Sequence, residues 1–226
     1  MGLIPQLYRA TKHQGFNVPT PIQRKAIPQI LARHDIVACS KTAAFLIPMI
    51  NKLQNHSTVG GIRGLILLPT REFALQIASV LKYLCKFTDL QYSIMVGGHG
   101  LEGQFESLSA NPDILKCTPG RVLLHLLYLQ EDRLKLSRVQ MVIYDEADFL
   151  FEMGLADQFK QILTHLSSQK QTLMFSATIP EQLSIFVSVG LKDYIFCKLD
   201  KEYQLPDSLQ LHFMSIANEN KVLQYI

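Results

Sequence analysis

The sequence predicts an α/β fold, in which a doubly wound, mostly parallel sheet carries helices on both faces. Short apolar runs alternate along the chain with stretches of 3.6-residue periodicity, which is the pattern of repeated βαβ units. Several runs are apolar at consecutive positions, such as Leu65 to Leu68, as expected of strands that are covered on both faces. The length of 226 residues allows one large domain or two small ones.

Two helices are predicted before the first strand, within residues 1–31. Pro19, Thr20 and Pro21 mark the break between them, because Thr20 suits the cap and Pro21 the first turn of the second helix. Three later stretches have helical periodicity: Glu72–Phe87, Arg121–Leu129 and Leu155–Leu166. The predicted strands are Asp35–Ser40, Gly64–Pro69, Tyr92–Gly97, Asp113–Thr118, Met141–Asp145, Gln171–Ser176 and Tyr194–Leu199.

The last part of the chain departs from this rhythm. Residues 202–208 have the composition of a linker, residues 209–216 alternate as a strand does, and residues 219–226 begin a helical pattern. We therefore expect residues 1–200 to form one domain, and residues 201–226 to be a linker and the start of a truncated second domain. A frayed terminus is the alternative.

Composition excludes several classes of protein. Hydrophobic residues make up 48% of the chain and charged residues 18%, which is enough apolar material for a core and excludes wholesale disorder. No apolar run approaches the roughly 18 residues of a membrane span, and residues 1–20 lack the features of a secretory signal. The four cysteines are far apart, which predicts reduced thiols in an intracellular protein and not a zinc site. The net charge of +3 is compatible with nucleic acid but is not evidence for it.

Two adjacent carboxylates, Asp145 and Glu146, follow the predicted strand that begins at Met141. In open α/β sheets, ligands bind beyond the carboxyl ends of the strands. At that place the first carboxylate could hold Mg²⁺ on a nucleotide, and the second could orient or deprotonate an attacking water. A solvated acidic loop that caps the next helix is the alternative.

Lys41 and Thr42 follow the first predicted strand and open a helix. In a phosphate-binding loop the lysine reaches the β- and γ-phosphates, the hydroxyl binds Mg²⁺, and the helix N-terminus favours the anion. Such a loop also needs glycines, because its backbone approaches the phosphate oxygens closely. The nearest glycine upstream is Gly15, so the motif is incomplete, and an ordinary helix start remains the alternative.

Six short motifs occur in order along the chain. They are Gly15-Phe16-Asn17-Val18-Pro19-Thr20-Pro21-Ile22-Gln23, Pro69-Thr70-Arg71-Glu72, Val96-Gly97-Gly98, Thr118-Pro119-Gly120-Arg121, Asp145-Glu146-Ala147-Asp148 and Ser176-Ala177-Thr178. Through them nearly the whole chain resembles the first RecA-like domain of DEAD-box RNA helicases, a fold of the P-loop NTPase type. Asn111-Pro112-Asp113, Phe151-Glu152-Met153-Gly154 and Leu199-Asp200 resemble the branch that contains yeast Dbp10, which is linked to maturation of the large ribosomal subunit.

The resemblance implies a site for ATP and Mg²⁺ within residues 1–200. Residues 15–23 would form the adenine-recognition segment, in which Gln23 reads the adenine edge, Thr20 assists and Phe16 packs nearby. Ser40, Lys41 and Thr42 would bind the phosphates. An ordinary exposed helix residue is the alternative for Gln23.

The catalytic residues implied by the resemblance are Lys41, Asp145 and Glu146. Asp145 and Thr42 would hold Mg²⁺, partly through water, and Glu146 would position or activate the attacking water. Asp148 would bond to Ser176 and Thr178, and so couple the nucleotide site to the rest of the domain. Hydroxyls that cap the following helix are the alternative for the last two residues.

The resemblance also implies an RNA-binding surface that contacts the nucleic acid backbone. Its residues are Thr70, Arg71, Gly97, Gly98, Thr118, Gly120 and Arg121. Glycines let main-chain N–H groups approach phosphate, and arginines add charge-assisted hydrogen bonds. Contacts to phosphate and 2′-OH groups carry no base information, so binding should favour RNA without favouring a sequence. A turn at the two adjacent glycines and a surface ion pair at Arg121 are the alternatives.

The phosphate loop departs from the family pattern, which is Ala-x-Thr-Gly-x-Gly-Lys-Thr. Here Ala38-Cys39-Ser40 runs directly into Lys41-Thr42, so a block of about five residues that contains the glycines is absent. A deletion would leave a domain that cannot cradle phosphate. The alternative, which we favour, is that the sequence omits a glycine-rich loop that is mobile when empty. Lys116 is a smaller departure, because it falls in a strand that should be buried, and we expect it to snorkel from a strand edge or to face the RNA.

These observations predict the N-terminal ATPase half of an ATP-dependent RNA helicase, completed by a second RecA-like domain. The resemblance implies RNA and pre-ribosomal proteins as partners, no membrane, and an intracellular place in the nucleus or nucleolus. We expect this chain alone to lack unwinding activity and to hydrolyse ATP feebly at most. A catalytically degenerate RNA-binding scaffold is the alternative, because the glycines before Lys41 are absent.

Overall fold

The computed structural model describes residues 2–38, 42–98, 100–128, 134–176 and 190–198. Its strands are β1 (Ile36–Ala38), β2 (Gly64–Leu67), β3 (Tyr92–Met95), β4 (Ile114–Cys117), β5 (Met141–Tyr144), β6 (Gln171–Phe175) and β7 (Ile195–Cys197). Its helices are α1 (Pro5–His13), α2 (Pro21–Leu31), α3 (Ala43–Leu53), α4 (Arg71–Leu84), α5 (Leu101–Ser109), α6 (Pro119–Leu123), α7 (Ala147–Glu152) and α8 (Ala156–Thr164). A π-helical turn, Leu124–Tyr128, extends α6, and a 3₁₀ turn spans Leu136–Arg138.

All seven predicted strands are confirmed, and each is slightly shorter than predicted. The three helical stretches are confirmed as well, although the stretch that begins at Arg121 is divided between α6 and the π-helical turn. The break between the first two helices is also confirmed, because Thr20 caps α2. Its hydroxyl accepts from Gln23 N at 3.4 Å, and Gln23 Oε1 accepts from Thr20 N at 3.0 Å. The predicted linker and second domain lie outside the described residues.

The strands form one seven-stranded sheet in the order β3-β4-β2-β5-β6-β1-β7, and every described pair is parallel. In register, Leu67 of β2 faces Cys117 of β4 on one side and Tyr144 of β5 on the other. The carboxyl ends of these three strands are therefore level, and the segments that follow them begin at one edge of the sheet.

Helices cover both faces of the sheet, as the consecutive apolar positions predict. On one face, Leu7, Ile30, Phe45 and Ile77 of α1 to α4 pack with strand residues such as Ile143. On the other face, the helices α5 to α8 contribute a second cluster that includes Leu108, Val122, Leu150 and Phe159 and packs against Val142 and Tyr144. Adjacent residues of one strand thus enter opposite cores, which confirms the doubly wound architecture.

A buried ionic network ties the connection after α3 to the start of β4. The carboxylate of Asp113 accepts hydrogen bonds from Arg63 Nε at 3.0 Å, His56 Nδ1 at 2.8 Å, Ser57 N at 3.1 Å and Gln91 N at 3.0 Å. Burial raises the pKa of Asp113, but the hydrogen bonds, with His56 foremost, outweigh burial and hold that pKa below its ordinary value. The network replaces water around a carboxylate that is 1% exposed.

Lys116 is buried within β4, so the expectation that it snorkels from a strand edge or faces the RNA is wrong. β4 lies between β3 and β2, and Lys116 is 1% exposed. Its Nζ atom lies 5.2 Å from the centroid of the Tyr92 ring, which replaces part of the lost hydration. Burial lowers the pKa of Lys116 to about 8.

Replacing the buried lysine, Lys116→Met, is expected to stabilise the protein at pH 7 by on the order of 2 kcal/mol, because a desolvated charge is removed. The folded pKa lies below the unfolded value, so stability from this group is present above pH 10.5 and is lost as the pH falls through about 8. The advantage of methionine should therefore shrink between pH 7 and pH 10, measured by urea unfolding. Lys160→Met, at an exposed position, is the control, and equal behaviour of the two variants would contradict the prediction.

Within the described residues, no helix is both long and apolar enough to cross a lipid bilayer. Cys85, Cys117 and Cys197 are unpaired and buried. Burial raises the pKa of the Cys85 thiol to about 12, so it is a packing residue and not a nucleophile. Cys39 lies outside the described residues.

Candidate functional site

The predicted site residues follow the strands at their carboxyl ends, along one edge of the sheet. β5, β6 and β1 are neighbours, and they lead to the acidic motif, to Ser176 and to the segment before Thr42. β3, β4 and β2 are also neighbours, and they lead to Gly97, Thr118 and Thr70. The edge therefore divides into two parts, which we call the β5–β6–β1 half and the β3–β4–β2 half.

Asp145, the first residue after β5, is buried with 5% of its surface exposed. Burial raises the pKa of Asp145 to about 7, and the charges of Glu146 and Asp148 act in the same direction. Burial, followed by the charge of Asp148, also raises the pKa of Glu146. A divalent cation would relieve this repulsion and lower both pKa values, so the carboxylates have the chemistry of a cation site.

Glu146 adopts a left-handed backbone conformation, with φ 51° and ψ 50°, at the residue before α7. This conformation costs a non-glycine residue roughly 1–3 kcal/mol and persists where the surrounding structure holds it. The Glu146 side chain forms no capping hydrogen bond to α7. The alternative of a solvated loop that caps the next helix therefore does not describe Asp145, which is buried, or Glu146, which does not cap. Of the three carboxylates, it is Asp148 that accepts a backbone hydrogen bond in the first turn of α7, from Phe149 N at 3.1 Å.

Ser176 connects three neighbouring segments of the β5–β6–β1 half. Its hydroxyl accepts a hydrogen bond from the backbone N–H of Asp148 at 3.2 Å. Its own backbone N–H donates to Ala38 O at 3.1 Å, at the end of β1. The start of α7, the end of β6 and the end of β1 are thus held together, and the predicted Asp148–Ser176 contact is made through the backbone of Asp148.

Ser40, Lys41 and Thr178, three of the predicted residues, lie outside the described residues. Thr42 is described and immediately precedes α3, at the carboxyl end of β1. Its side chain makes no capping hydrogen bond to α3, so the hydroxyl is not committed to the helix. The sequence prediction for Thr42 as a phosphate and Mg²⁺ ligand stays a prediction.

A cavity of about 480 Å³ lies beside α2, at the predicted adenine-recognition segment. Phe16 and Gln23 line it together with the apolar side chains of Ile27 and Ile47. Largely apolar walls with a few polar groups, among them the amides of Asn17 and Gln23, suit a heterocyclic base. Gln23 is half-buried, unlike an ordinary exposed helix residue, and its Oε1 keeps a second lone pair beside the bond to Thr20 N.

The helix α1 also contributes to this cavity, which the sequence analysis missed. Tyr8 and Lys12 line the cavity, and Lys12 Nζ lies 5.8 Å from the centroid of the Tyr8 ring. Their spacing of four residues places them on one helix face, and this spacing is the signal that could have identified them. Thr20 does not line the cavity and acts by capping α2.

In the β3–β4–β2 half, two arginines lie against two exposed glycines. A Cβ atom at Gly98 would lie 2.6 Å from Arg71 Nη1, and Gly98 has φ 80°, so both space and conformation favour glycine. A Cβ atom at Gly97 would lie 4.0 Å from Arg121 Nη2. In the part of the chain that the structure describes, neither arginine forms an ion pair, so the alternative for Arg121 finds no support.

Thr70 and Thr118 precede the first turns of α4 and α6 at the same edge. Both residues have extended backbones, and neither side chain makes a capping hydrogen bond. Gly120 is exposed in the first turn of α6, and a Cβ atom there would meet Gln158 Oε1 only at 3.6 Å. All seven residues that the sequence predicts for RNA contact therefore lie at the carboxyl ends of β2, β3 and β4.

The donor set fits Mg²⁺ that is bound together with a nucleotide. Among the described residues, no group of three or more His, Cys, Asp or Glu could hold a metal ion by itself. Mg²⁺ is usually held by one or two carboxylates together with waters and substrate phosphates, and not by a protein cage. Asp145 is a carboxylate of that kind.

A comparison with protein families bears directly on this geometry. The family model described as DEAD/DEAH box helicase matches residues 20–186. The chain belongs to the DEAD/DEAH box helicase family. The matched region contains the acidic motif, both glycines and both arginines of the edge described above.

Curated proteins that are similar to this helicase-family chain agree with the family assignment. It is 50% identical over 226 residues to ATP-dependent RNA helicase dbp10 of Emericella nidulans, covering 98% of this chain and 24% of that protein. It is 48% identical over 227 residues to DEAD-box ATP-dependent RNA helicase 29 of Oryza sativa subsp. indica, covering 98% and 26%. These relatives confirm the resemblance to the Dbp10 branch. The chain spans about a quarter of their length.

Among solved structures, the chain is similar to the crystal structure of a DEAD box protein from the hyperthermophile Methanococcus jannaschii. The TM-score is 0.80 and the sequence identity 35%, over 88% of this chain and 54% of that chain. This similarity confirms the predicted RecA-like α/β fold of the helicase-family chain.

The alignment lengths also bear on the predicted gap before Lys41. An alignment of 227 positions that covers 98% of a 226-residue chain contains positions at which this chain has no residue. The rice relative therefore carries a few residues that this chain lacks. The site of the gap itself, residues 39–41, lies outside the described residues.

Proposed function

We propose that this chain is the ATP-binding half of an ATP-dependent RNA helicase that contacts RNA through its backbone. The observation that carries the proposal is the placement of buried carboxylates and of arginine–glycine contacts along one edge of a single parallel sheet. The two halves adjoin directly, since Asp145 N, after β5, donates to Leu67 O of β2 at 3.1 Å.

The β5–β6–β1 half supplies groups for nucleotide hydrolysis. Bound Mg²⁺ would neutralise charge on the β- and γ-phosphates of ATP. Asp145 would hold the ion in its ionised form, and Glu146 would orient the attacking water or accept its proton, for which a raised pKa is suitable. Gln23 and Phe16 would hold adenine in the cavity beside α2, and Lys41 would bind the phosphates.

The β3–β4–β2 half supplies groups for RNA. Arg71 and Arg121 present guanidinium groups beside Gly98 and Gly97, where phosphate oxygens could also reach backbone N–H groups. Contacts of this kind do not read bases, so the chain should bind RNA of any sequence.

The double variant Arg71→Ala/Arg121→Ala is expected to weaken binding of a fluorescein-labelled ten-nucleotide single-stranded RNA by roughly tenfold or more. Each charge-assisted hydrogen bond that is removed contributes about 1.5–3 kcal/mol, and 1.4 kcal/mol corresponds to a factor of ten. Fluorescence anisotropy of this chain measures the dissociation constants.

Arg9→Ala/Arg24→Ala is the matched control, because it removes two exposed arginines from α1 and α2, away from the β3–β4–β2 half. The control should bind RNA within about twofold of the unaltered chain, since the removed charges are screened by salt. Equal weakening in the two double variants would contradict the RNA-binding role of this half.

A catalytically degenerate RNA-binding scaffold is the second candidate function. It is favoured by one observation, namely that no glycine stands between Gly15 and Lys41. The burial of Asp145 speaks against it, because a carboxylate without a cation or substrate is costly to bury and serves no purpose in a scaffold. Restoring the loop, as described in the Discussion, separates the two candidates.

The relatives named dbp10 support a finer proposal, that the helicase acts in maturation of the large ribosomal subunit and is located in the nucleolus. Pre-ribosomal proteins are then the partners to test. Co-purification of large-subunit precursor RNA with the tagged natural protein would support this role, and co-purification of unrelated RNAs alone would contradict it.

A further inference from the structure

A second polar cleft lies at the opposite edge of the sheet, where β1, β6 and β7 begin. It has a volume of about 370 Å³ and is lined by the residues that precede these strands and by Lys52 near the end of α3. Four of its side chains are cationic: Arg33, Lys52, Lys170 and Lys192. We call this site the amino-edge cleft. It shares no residue with the candidate site at the carboxyl ends.

Charge in the amino-edge cleft is unbalanced. Its two carboxylates are those of Asp35 and Asp193. Asp35 is buried and already accepts hydrogen bonds from the backbone N–H groups of Thr172 at 2.7 Å and Lys192 at 2.8 Å. Across the described ranges, none of the four cations forms an ion pair. An excess of positive charge therefore faces the solvent.

Lys52 is held in place by hydrogen bonds, and both Lys52 and Lys170 are repelled by a neighbouring cation. Lys52 Nζ donates to Gln171 Oε1 at 3.0 Å and to Gln140 O at 3.3 Å. Burial lowers the pKa of Lys52, and the charge of Arg33 lowers it further. Burial likewise lowers the pKa of Lys170, with a further contribution from Lys192. The charge of Asp35 raises the pKa of both lysines and so offsets part of the lowering. An anion bound in the cleft would raise the two pKa values further.

Two residues of the cleft have a left-handed backbone conformation. Arg33 has φ 71° and Asp193 has φ 43°, a region in which glycine or asparagine is the usual choice. At Arg33 this conformation ends α2, because Arg33 N donates to Ile30 O at 3.0 Å and His34 N donates to Gln29 O at 3.2 Å. The end of the helix thereby fixes where the Arg33 side chain leaves the backbone at the rim of the cleft.

The lining of the amino-edge cleft distinguishes between anions. Every lining side chain is polar or charged, and no aliphatic, phenylalanine or tyrosine side chain is among them. Nucleic acid bases would need an extended stacking surface, of which the cleft offers only the His34 ring, and protein partners typically anchor an aromatic or aliphatic side chain in an apolar pocket that the cleft lacks. A phosphodiester backbone needs neither, because it is bound by lysine, arginine and polar side chains.

We propose that the amino-edge cleft binds the phosphodiester backbone of RNA as a second contact, at the opposite edge of the sheet from the β3–β4–β2 half. An RNA long enough to pass around the domain would engage both surfaces, whereas a short RNA would occupy one. The proposal goes beyond the helicase function and does not require ATP or the absent glycines.

The test compares Lys170→Glu/Lys192→Glu with the unaltered chain on a labelled 40-nucleotide single-stranded RNA. The cleft variant should bind roughly tenfold more weakly in low salt. A plot of the logarithm of the observed association constant against log[salt] has a negative slope. Its steepness should decrease by about 0.7 for each phosphate that the variant no longer neutralises. Lys82→Glu/Lys160→Glu makes the same change of charge on exposed lysines of α4 and α8 and should leave both quantities nearly unchanged. Thermal melting of all variants confirms folding.

Several outcomes would overturn the proposal. One is equal weakening by the cleft and control variants, which would reduce the effect to net charge. Another is an unaltered salt slope in the cleft variant. A third is poly-glutamate binding that depends on Lys170 and Lys192 while RNA binding does not, which would make the occupant an acidic protein segment. Failure of the Arg71→Ala/Arg121→Ala prediction would leave this proposal standing, because the two double variants alter separate surfaces.

Discussion

Insertion of Arg-Thr-Gly-Ser-Gly between Ser40 and Lys41 is expected to raise the affinity of this chain for MgATP by about two orders of magnitude. Several backbone N–H groups of a glycine-containing loop would then donate to phosphate oxygens, and charge-assisted bonds of this kind contribute about 1.5–3 kcal/mol each. Because 1.4 kcal/mol corresponds to a factor of ten, two such bonds suffice. Isothermal titration calorimetry of both chains measures the change.

Two controls make the result specific. Insertion of five alanines restores the length but not the close approach of backbone to phosphate, so it should gain little. The Arg-Thr-Gly-Ser-Gly insertion combined with Lys41→Ala should lose most of the gain. Equal MgATP affinity with and without the insertion would contradict a phosphate site before Lys41 and would favour the scaffold function.

The substitution Asp113→Ala is expected to lower the free energy of unfolding by about 3–5 kcal/mol, because it leaves the Arg63 guanidinium buried without its partner. Arg63 is 9% exposed, and the carboxylate also accepts bonds from His56, Ser57 N and Gln91 N. Urea unfolding followed by circular dichroism measures the change. The double variant Arg63→Leu/Asp113→Ala should recover part of it, since no unpaired charge remains.

Asp157→Ala provides the comparison at the surface. Asp157 is 88% exposed and lies 3.6 Å from Lys160, and such pairs contribute at most about 1 kcal/mol. The pKa of Asp113 is lower in the folded than in the unfolded protein. Its contribution to the free energy of unfolding is therefore present above the unfolded pKa and is lost as the pH falls through the folded pKa. A destabilisation in Asp113→Ala no larger than that in Asp157→Ala would contradict a structural role for the network.

The fold was predictable because its main signals are local. Runs such as Leu65 to Leu68 enter two cores at once, and such a composition between turn residues is typical of a strand covered on both faces. The Thr20 cap was predictable for the same reason, since its partner Gln23 is three residues away. The order of the strands could not be predicted from any single apolar run. That order places β3 beside β4, so that Lys116 lies near the Tyr92 ring.

Contacts between distant residues explain what the sequence analysis missed. Asn111 and Asp113 were noted only as marks of one branch of the family, yet they hold the connection after α3. Asn111 accepts from Gly61 N at 3.1 Å and donates to Ser57 O at 2.8 Å. The amino-edge cleft was missed for the same reason, because Arg33, Lys52 and Lys170 meet only when β1 and β6 pair.

For the candidate site, the motifs predicted residue types and order, and the sheet supplied proximity. The spacing of Arg71 and Gly98 in sequence says nothing of contact, whereas the neighbouring positions of β2, β4 and β3 bring them together. The raised pKa of Asp145 was equally beyond the sequence, because it arises from burial first and from Glu146 and Asp148 second.

The direct pairing of β2 with β5 has a mechanical consequence. Leu67 pairs with Tyr144, and Asp145 N bonds to Leu67 O, so the last rungs of the ladder join the two halves. A hydrogen-bonded parallel sheet is stiff, and one half of the edge cannot slide along the other without breaking the backbone hydrogen bonds between β2 and β5. The β2–β5 pairing therefore keeps the two halves at a fixed spacing, and the site residues that follow these strands can change position relative to one another only through their own segments.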